Sequence, residues 1–253
     1  MKRKYLLFAV ALCLAALSLS GCMTATRAPT PTATPYVTVA PTRTPTPTAT
    51  ATTGTQGSKM ARPRQLDELE TAAEDIMDDA GAGNWTKAQQ KVDTMKKDLT
   101  ALGPVFQSAG VPSSLVAGIQ TPLKSLEQKV KSKDAMGTKV QANQITKVIP
   151  DVFDYFQVTT PTDLGRLDYL GREVALNAQQ GDWTAAGSNM TQIKQVWARL
   201  KPNLNTAAQK NAASFESSVN TLSGDVQKQN ATAVAKDSTT LLDKVGVLEK
   251  AYG

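Results

Sequence analysis

Gly83-Asn84-Trp85-Thr86, followed by Ala88, returns 98 positions later as Gly181-Asp182-Trp183-Thr184, followed by Ala186. Each copy has the same local physical reading. The glycine ends an incoming helix in the left-handed conformation, and the Asn84 or Asp182 side chain accepts from free amides at the next helix start. Trp85 and Trp183 then lay a broad apolar surface on the preceding helix and lock the corner. Stacking of these two rings on a ligand is the alternative use. The paired tetrapeptides read as one helix–corner–helix unit written twice.

Working outward, the same offset aligns Leu66 with Leu164, Leu69 with Leu167, Ala80 with Ala178, Leu102 with Leu200 and Pro104 with Pro202. Beyond Gly110-Val111-Pro112 the offset becomes 96. It pairs Ile119 with Phe215, Leu126 with Leu222, Val130 with Val226, Ile145 with Leu241 and Phe156 with Tyr252. Register kept over this length points to internal duplication.

Apolar spacing gives each copy four helices. Leu66, Leu69, Ala73, Ile76 and Met77 line the first, which ends before Gly83. The second starts at Asn84, carries Ala88, Val92, Met95, Leu99 and Leu102, and is expected to stop at Gly103-Pro104. Ser113 opens a third helix, and a fourth covers 134–156 with Pro150 kinking it. The second copy is expected to repeat the plan over 162–180, 182–200, 203–229 and 230–252. Trp197 falls at core spacing in its second helix, where the first copy has Leu99. Short connections favour antiparallel neighbours. The expected fold is therefore all-α, with two tandem four-helix up-down bundles over 59–158 and 159–253.

The chain ahead of these units differs in composition. Lys2, Arg3 and Lys4 precede an apolar run over 5–19, and Leu19-Ser20-Gly21-Cys22 closes it. This resembles a bacterial lipobox signal peptide, residues 1–21, with cleavage before Cys22. The run is shorter than the roughly 20 apolar residues that span a membrane. The resemblance implies a diacylglyceryl group on Cys22, often with a further acyl chain such as palmitate; two chains anchor stably where one holds marginally. Residues 22–58 are dominated by Thr, Pro and Ala, with Thr30-Pro31-Thr32-Ala33-Thr34 repeated from Thr46. Such a stretch buries too little apolar surface to order itself and is expected to be a disordered tether. At roughly 3.1 Å per residue its reach is on the order of 100 Å.

The net charge of +6 misleads as a clue to partners. Eight of the 28 basic residues precede Gln65, where no acidic residue stands, so the remainder carries 20 basic against 22 acidic residues. A near-neutral folded part without a basic, aromatic-interleaved stripe lacks the electrostatic footprint of nucleic-acid binding. The chain has no histidine, and Cys22 is the only cysteine that would survive processing. Zinc, copper and haem sites of the usual kinds therefore lack ligands, and His-dependent nucleophilic triads lack their base. No phosphate-binding glycine loop occurs. No cofactor and no catalytic residue is implied.

One cluster invites a site reading. Asp67, Glu70, Glu74 and Asp78 share a face of the first helix, where they could form a weak site for a hard cation or a docking face for a basic partner. A solvated outer face, with early acids favoured by the helix dipole, is the plainer use.

Taken with its corner, each copy resembles a bacterial membrane-anchored helical domain of unknown function. That family has an acidic residue or Asn before Trp-x-x-Ala at a helix start, and a second Trp about fourteen residues on. Trp183, Ala186 and Trp197 match it; Trp85 and Ala88 match, with Leu99 in place of the second Trp. The resemblance implies an envelope protein and carries over no catalytic residue. The function expected is a non-enzymatic interaction or scaffold module, held to a membrane by lipidated Cys22 and engaging an envelope protein. The alternative is a binding module for a small apolar or cationic ligand.

Overall fold

The computed structural model describes residues 59–253; the stretch expected to be a signal peptide, Cys22 and the Thr/Pro-rich stretch expected to be a tether lie outside them. Among the described residues there are nine α-helices, two single 3-10 turns and no strand. The helices are α1 (Arg64–Gly81), α2 (Trp85–Ala109), α3 (Ser113–Lys131), α4 (Ala135–Phe153), α5 (Asp163–Gln179), α6 (Trp183–Leu200), α7 (Thr206–Gln209), α8 (Ala212–Gln227) and α9 (Ala231–Glu249). The all-α expectation holds.

The apolar positions singled out by spacing are the ones that pack. α1 lies against α2 and α4, and α3 against the same two. Leu66, Ile76, Met95, Ile119, Leu126 and Ile145 lie in one buried cluster inside them. α5 lies against α6 and α9, and α8 against the same two. Leu164, Ile193, Trp197, Phe215, Leu222 and Leu241 belong to a second cluster. Each large side chain so buried contributes roughly 1.5–3 kcal/mol. α4 packs on α5 and joins the two halves.

The corners are built as the glycine reading requires. Gly83 and Gly181 have φ of 74° and 75°. Asn84 N–H donates to Asp79 O at 2.8 Å and Gly83 N–H to Ala80 O at 3.3 Å; Asp182 and Gly181 repeat this with Asn177 and Ala178. This is the Schellman pattern. Two further corners use it without glycine. Lys133 and Gln229 take φ of 55° and 53°. Asp134 and Asn230 follow them, and their side chains accept from Gly137 N and Ala233 N.

Three local expectations are corrected. α2 runs through Gly103-Pro104 to Ala109. Proline costs a helix interior about 3 kcal/mol, but Leu99, Leu102 and Phe106 bury on both sides of it and outweigh that. The helix instead ends at Gly110, φ 72°, where Val111 N–H reaches Phe106 O. Asn84 makes no capping bond; its amide donates to Asp79 Oδ1 at 3.4 Å, whereas Asp182 does cap, accepting from Ala185 N at 2.9 Å. Asp79 is 8% exposed and also holds Lys91, so the buried carboxylate draws the Asn84 amide away from the helix start. Finally, the helix expected over 203–229 is broken. Asn205 accepts from Ala208 N to cap the single turn α7, and donates to Ala251 O at 2.8 Å. Tyr252 Oη accepts from Asn205 N–H at 3.1 Å. The end of the chain thus claims the segment that a continuous helix would need.

Candidate functional site

The four acidic residues placed together by helical spacing are not brought to one centre. Asp67 pairs with Arg62 at 3.0 Å. Asp78 is exposed. Glu70 and Glu74 turn the other way, onto the second half of the chain. Among the described residues no group of three or more Asp, Glu, His or Cys is placed to hold a metal ion.

What Glu70 and Glu74 meet is a polar seam. Arg172 on α5 reaches Glu74 Oε1 at 3.0 Å and also bonds Asp168, one turn back on its own helix. Glu249 on α9 adds a fourth carboxyl to the field around Glu70. Burial, reinforced by Glu74, Asp168 and Glu249, pushes the Glu70 carboxyl up to about 8. Burial raises Glu74 to about 7 against the pull of Arg172, and burial raises Asp168 as well. Desolvation disfavours the charged form of each, and Arg172, which pairs with both Glu74 and Asp168, offsets it only in part.

The approach that forms the seam depends on small residues. A Cβ on Gly165 would stand 3.0 Å from the Pro150 ring of α4 and 3.5 Å from Glu70 Oε1. Farther along, Asn143 of α4 is fully buried and donates to Glu173 Oε2 at 2.7 Å. At the opposite end Arg166 binds Asp151 at 2.7 Å and Asp154 at 2.5 Å. Helical spacing does not announce this set. Asp168 and Arg172 look like an ordinary i,i+4 pair on a wet face, and only the glycines at 165 and 171 hint at close neighbours.

Trp85 and Trp183 are half-buried, and Trp183 lies against the second apolar cluster. Trp197 is core: 6% exposed, its ring centroid 4.3 Å from that of Phe215, its Nε1–H donating to Glu216 at 3.0 Å. A cavity of about 200 Å³ between α8 and α9 is lined by Ser217, Ser218, Thr221, Thr240, Asp237 and Lys244. Typical small-molecule sites are roughly 300–1,000 Å³ and mostly apolar, so this one is small and too polar for an apolar ligand. No described helix is long and apolar enough to cross a membrane. Comparison with protein-family models, with curated proteins and with solved structures yields no match.

Proposed function

We propose that the protein is a lipid-anchored, extracytoplasmic interaction module that works by contact and not by catalysis. In this reading Cys22 carries the lipid, residues 22–58 form the tether, and two tandem four-helix up-down units present their outer faces to an envelope protein. The observation that carries it is the fate of the large soft side chains. Met95, Phe106, Phe156, Met190, Trp197 and Phe215 could have lined an apolar pocket, but all are buried in the cores. Recognition then falls to the surface, where the exposed large apolar residues among the described ones are Met60, Val158 and Val247. The partner contact is accordingly polar.

The duplication is supported by burial as well as by spelling. Leu66 and Leu164, Ala88 and Ala186, Ile119 and Phe215, Leu126 and Leu222, and Ile145 and Leu241 are buried at both members of each pair. The ring of contacts α1–α2–α3–α4 is matched by α5–α6–α8–α9, as an up-down unit requires.

Two measurements test the reading. In a bacterial host, the full chain is expected to incorporate labelled palmitate and fractionate with membranes, and Cys22→Ala to do neither. Equal behaviour of the two would remove the anchor. Native mass spectrometry of protein purified gently from its own host is expected to show the protein mass alone. A reproducible added small mass, lost on denaturation, would instead favour the ligand-binding alternative.

A further inference from the structure

The groove between α8 and α9 differs from the place that aligns with it in the other half of the chain. α8 presents Ser214, Ser217, Ser218 and Thr221, and α9 presents Asp237, Thr240 and Lys244, around a cavity of about 200 Å³. Both sets recur at helical spacing, so each forms one face of its helix. At the offset of 96 that aligns the halves, Ser214 falls on Gly118 and Lys244 on Val148. There the Val148 methyls lie 3.3 and 3.4 Å from where a Cβ on Gly118 would stand, so α3 and α4 close on each other. Ser218 falls on Pro122, which is buried, and Thr240 on Gln144, whose amide turns to Glu173 of α5. The opening between α8 and α9 therefore comes from their own residues and not from the helix plan.

The walls are rich in acceptors. Thr221 donates its hydroxyl hydrogen to Ser217 O at 3.0 Å, Thr240 to Lys236 O at 3.3 Å and buried Ser218 to Phe215 O at 2.7 Å. A hydroxyl whose hydrogen is used in this way still has lone pairs to offer. Thr221 and Thr240 offer theirs from opposite walls, and Asp237, one turn before Thr240, adds a carboxylate. Acceptors so grouped suit an ammonium, which has three donors and no acceptor. Asp225, one turn beyond Thr221, is held by Lys228 at 3.7 Å. The cation on the lining is Lys244, seven residues and about 10 Å along α9 from Asp237, and it suits a carboxylate. We propose that the α8–α9 groove binds a short linear peptide by its two free ends. The terminal ammonium sits on Asp237, Thr221 and Thr240, and the terminal carboxylate on Lys244. Three extended residues span about 10 Å, which matches the spacing of the two charges. A ligand of one charge sign would leave one end of the groove unmatched. Ser214, Ser217, Thr221 and Thr240 are exposed, so the groove is open and its occupant exchanges. Purified protein is still expected to show its own mass alone. The site stands beside the envelope contact proposed above, and loss of either leaves the other in place.

Titration of the full chain with triglycine, followed by amide chemical shifts, reads the site helix by helix. The expected result is saturable binding of one peptide per chain, with shifts in α8 and α9 and none in α3 and α4. N-acetyl-triglycine and triglycine amide each lack one charged end. Both are expected to bind at least about tenfold more weakly, as loss of a hydrogen bond to a charged group implies. Asp237→Asn and Lys244→Met are expected to weaken triglycine by a similar factor; both side chains lie outside the apolar cores, so the fold is kept. Ser214→Gly with Lys244→Val, which writes the α3–α4 pair into this place, is expected to abolish binding. Three results would overturn the proposal: equal affinity for the blocked peptides, binding that survives either charge substitution, or shifts spread over all helices. So would a failure to saturate by about 10 mM triglycine, where a contact of roughly millimolar strength would be filled.

Discussion

Replacing the left-handed corner residues is expected to move stability in opposite directions at the two kinds of corner. Gly181 has φ of 75°, and a Cβ built there meets nothing within 4 Å. The effect of Gly181→Ala is therefore a backbone effect. Left-handed helical geometry costs a residue with a Cβ about 1–2 kcal/mol. Loss of glycine's freedom in the unfolded chain returns about 0.4–1 kcal/mol. The net expectation is destabilisation of about 0.5–1.5 kcal/mol. Gln229 sits at a corner of the same geometry, φ 53°, with its side chain exposed. Gln229→Gly relieves the same strain at the same entropic cost, and is expected to stabilise by a similar amount. Gly83→Ala and Lys133→Gly form a second such pair, at φ of 74° and 55°. Urea unfolding of the full chain at one pH reads all four substitutions, and a change of 1 kcal/mol also shifts Tm by about 2–4 °C at this size. Destabilisation by Gln229→Gly, or a neutral Gly181→Ala, would mean that the corners store no strain and would refute the account of them.

Trp197→Ala is expected to cost about 3–5 kcal/mol, as for other fully packed aromatics. Trp197→Phe, which keeps the stack on Phe215 but loses the bond to Glu216, is expected to cost about 1 kcal/mol; urea midpoints at constant m check both. Arg172→Gln is expected to destabilise by about 3–5 kcal/mol at pH 8, because it leaves partly buried carboxylates without their cation. The loss is expected to be smaller at pH 5, where Glu70 and Glu74 are protonated in the folded chain, so unfolding curves at the two pH values that show the same gap would contradict the seam. Gly171→Leu forces atoms toward Leu241 and Leu242, which a mere Cβ would already approach to 3.3 and 3.0 Å. A cost of about 3 kcal/mol is expected from overpacking, measured by the fall in urea midpoint.

Periodicity made most of the helices legible because one face of each carries the core. Leu66, Ile119, Phe215 and Leu241 sit where spacing puts them and are fully buried. Residue type was a reliable guide to the corners only where glycine stood. Lys133 and Gln229 adopt the same backbone with side chains that give no warning of it. The rule that proline stops a helix failed at Pro104 and held at Pro202, and the difference is tertiary. Phe106, two residues beyond Pro104, is 2% exposed and holds the next turn in the first core. After Pro202, by contrast, Asn205 is bound by the chain end at Ala251 and Tyr252. A local rule cannot see which long-range partner will claim a segment.

The seam was hidden for a deeper reason. Helical patterning sorts residues into apolar and polar faces, and it assigns every polar face to water. Glu70, Glu74, Asp168 and Arg172 all lie on polar faces, yet those faces pack against each other once α4 and α5 dock. Net charge conceals the arrangement as well, since 20 basic and 22 acidic residues nearly cancel over the folded part while Glu74 and Asp168 share the one Arg172 guanidinium. The inner edge of the acidic face of α1 is thus best understood through α5, whose Arg172 binds Glu74 and whose Gly165 lets Glu70 approach.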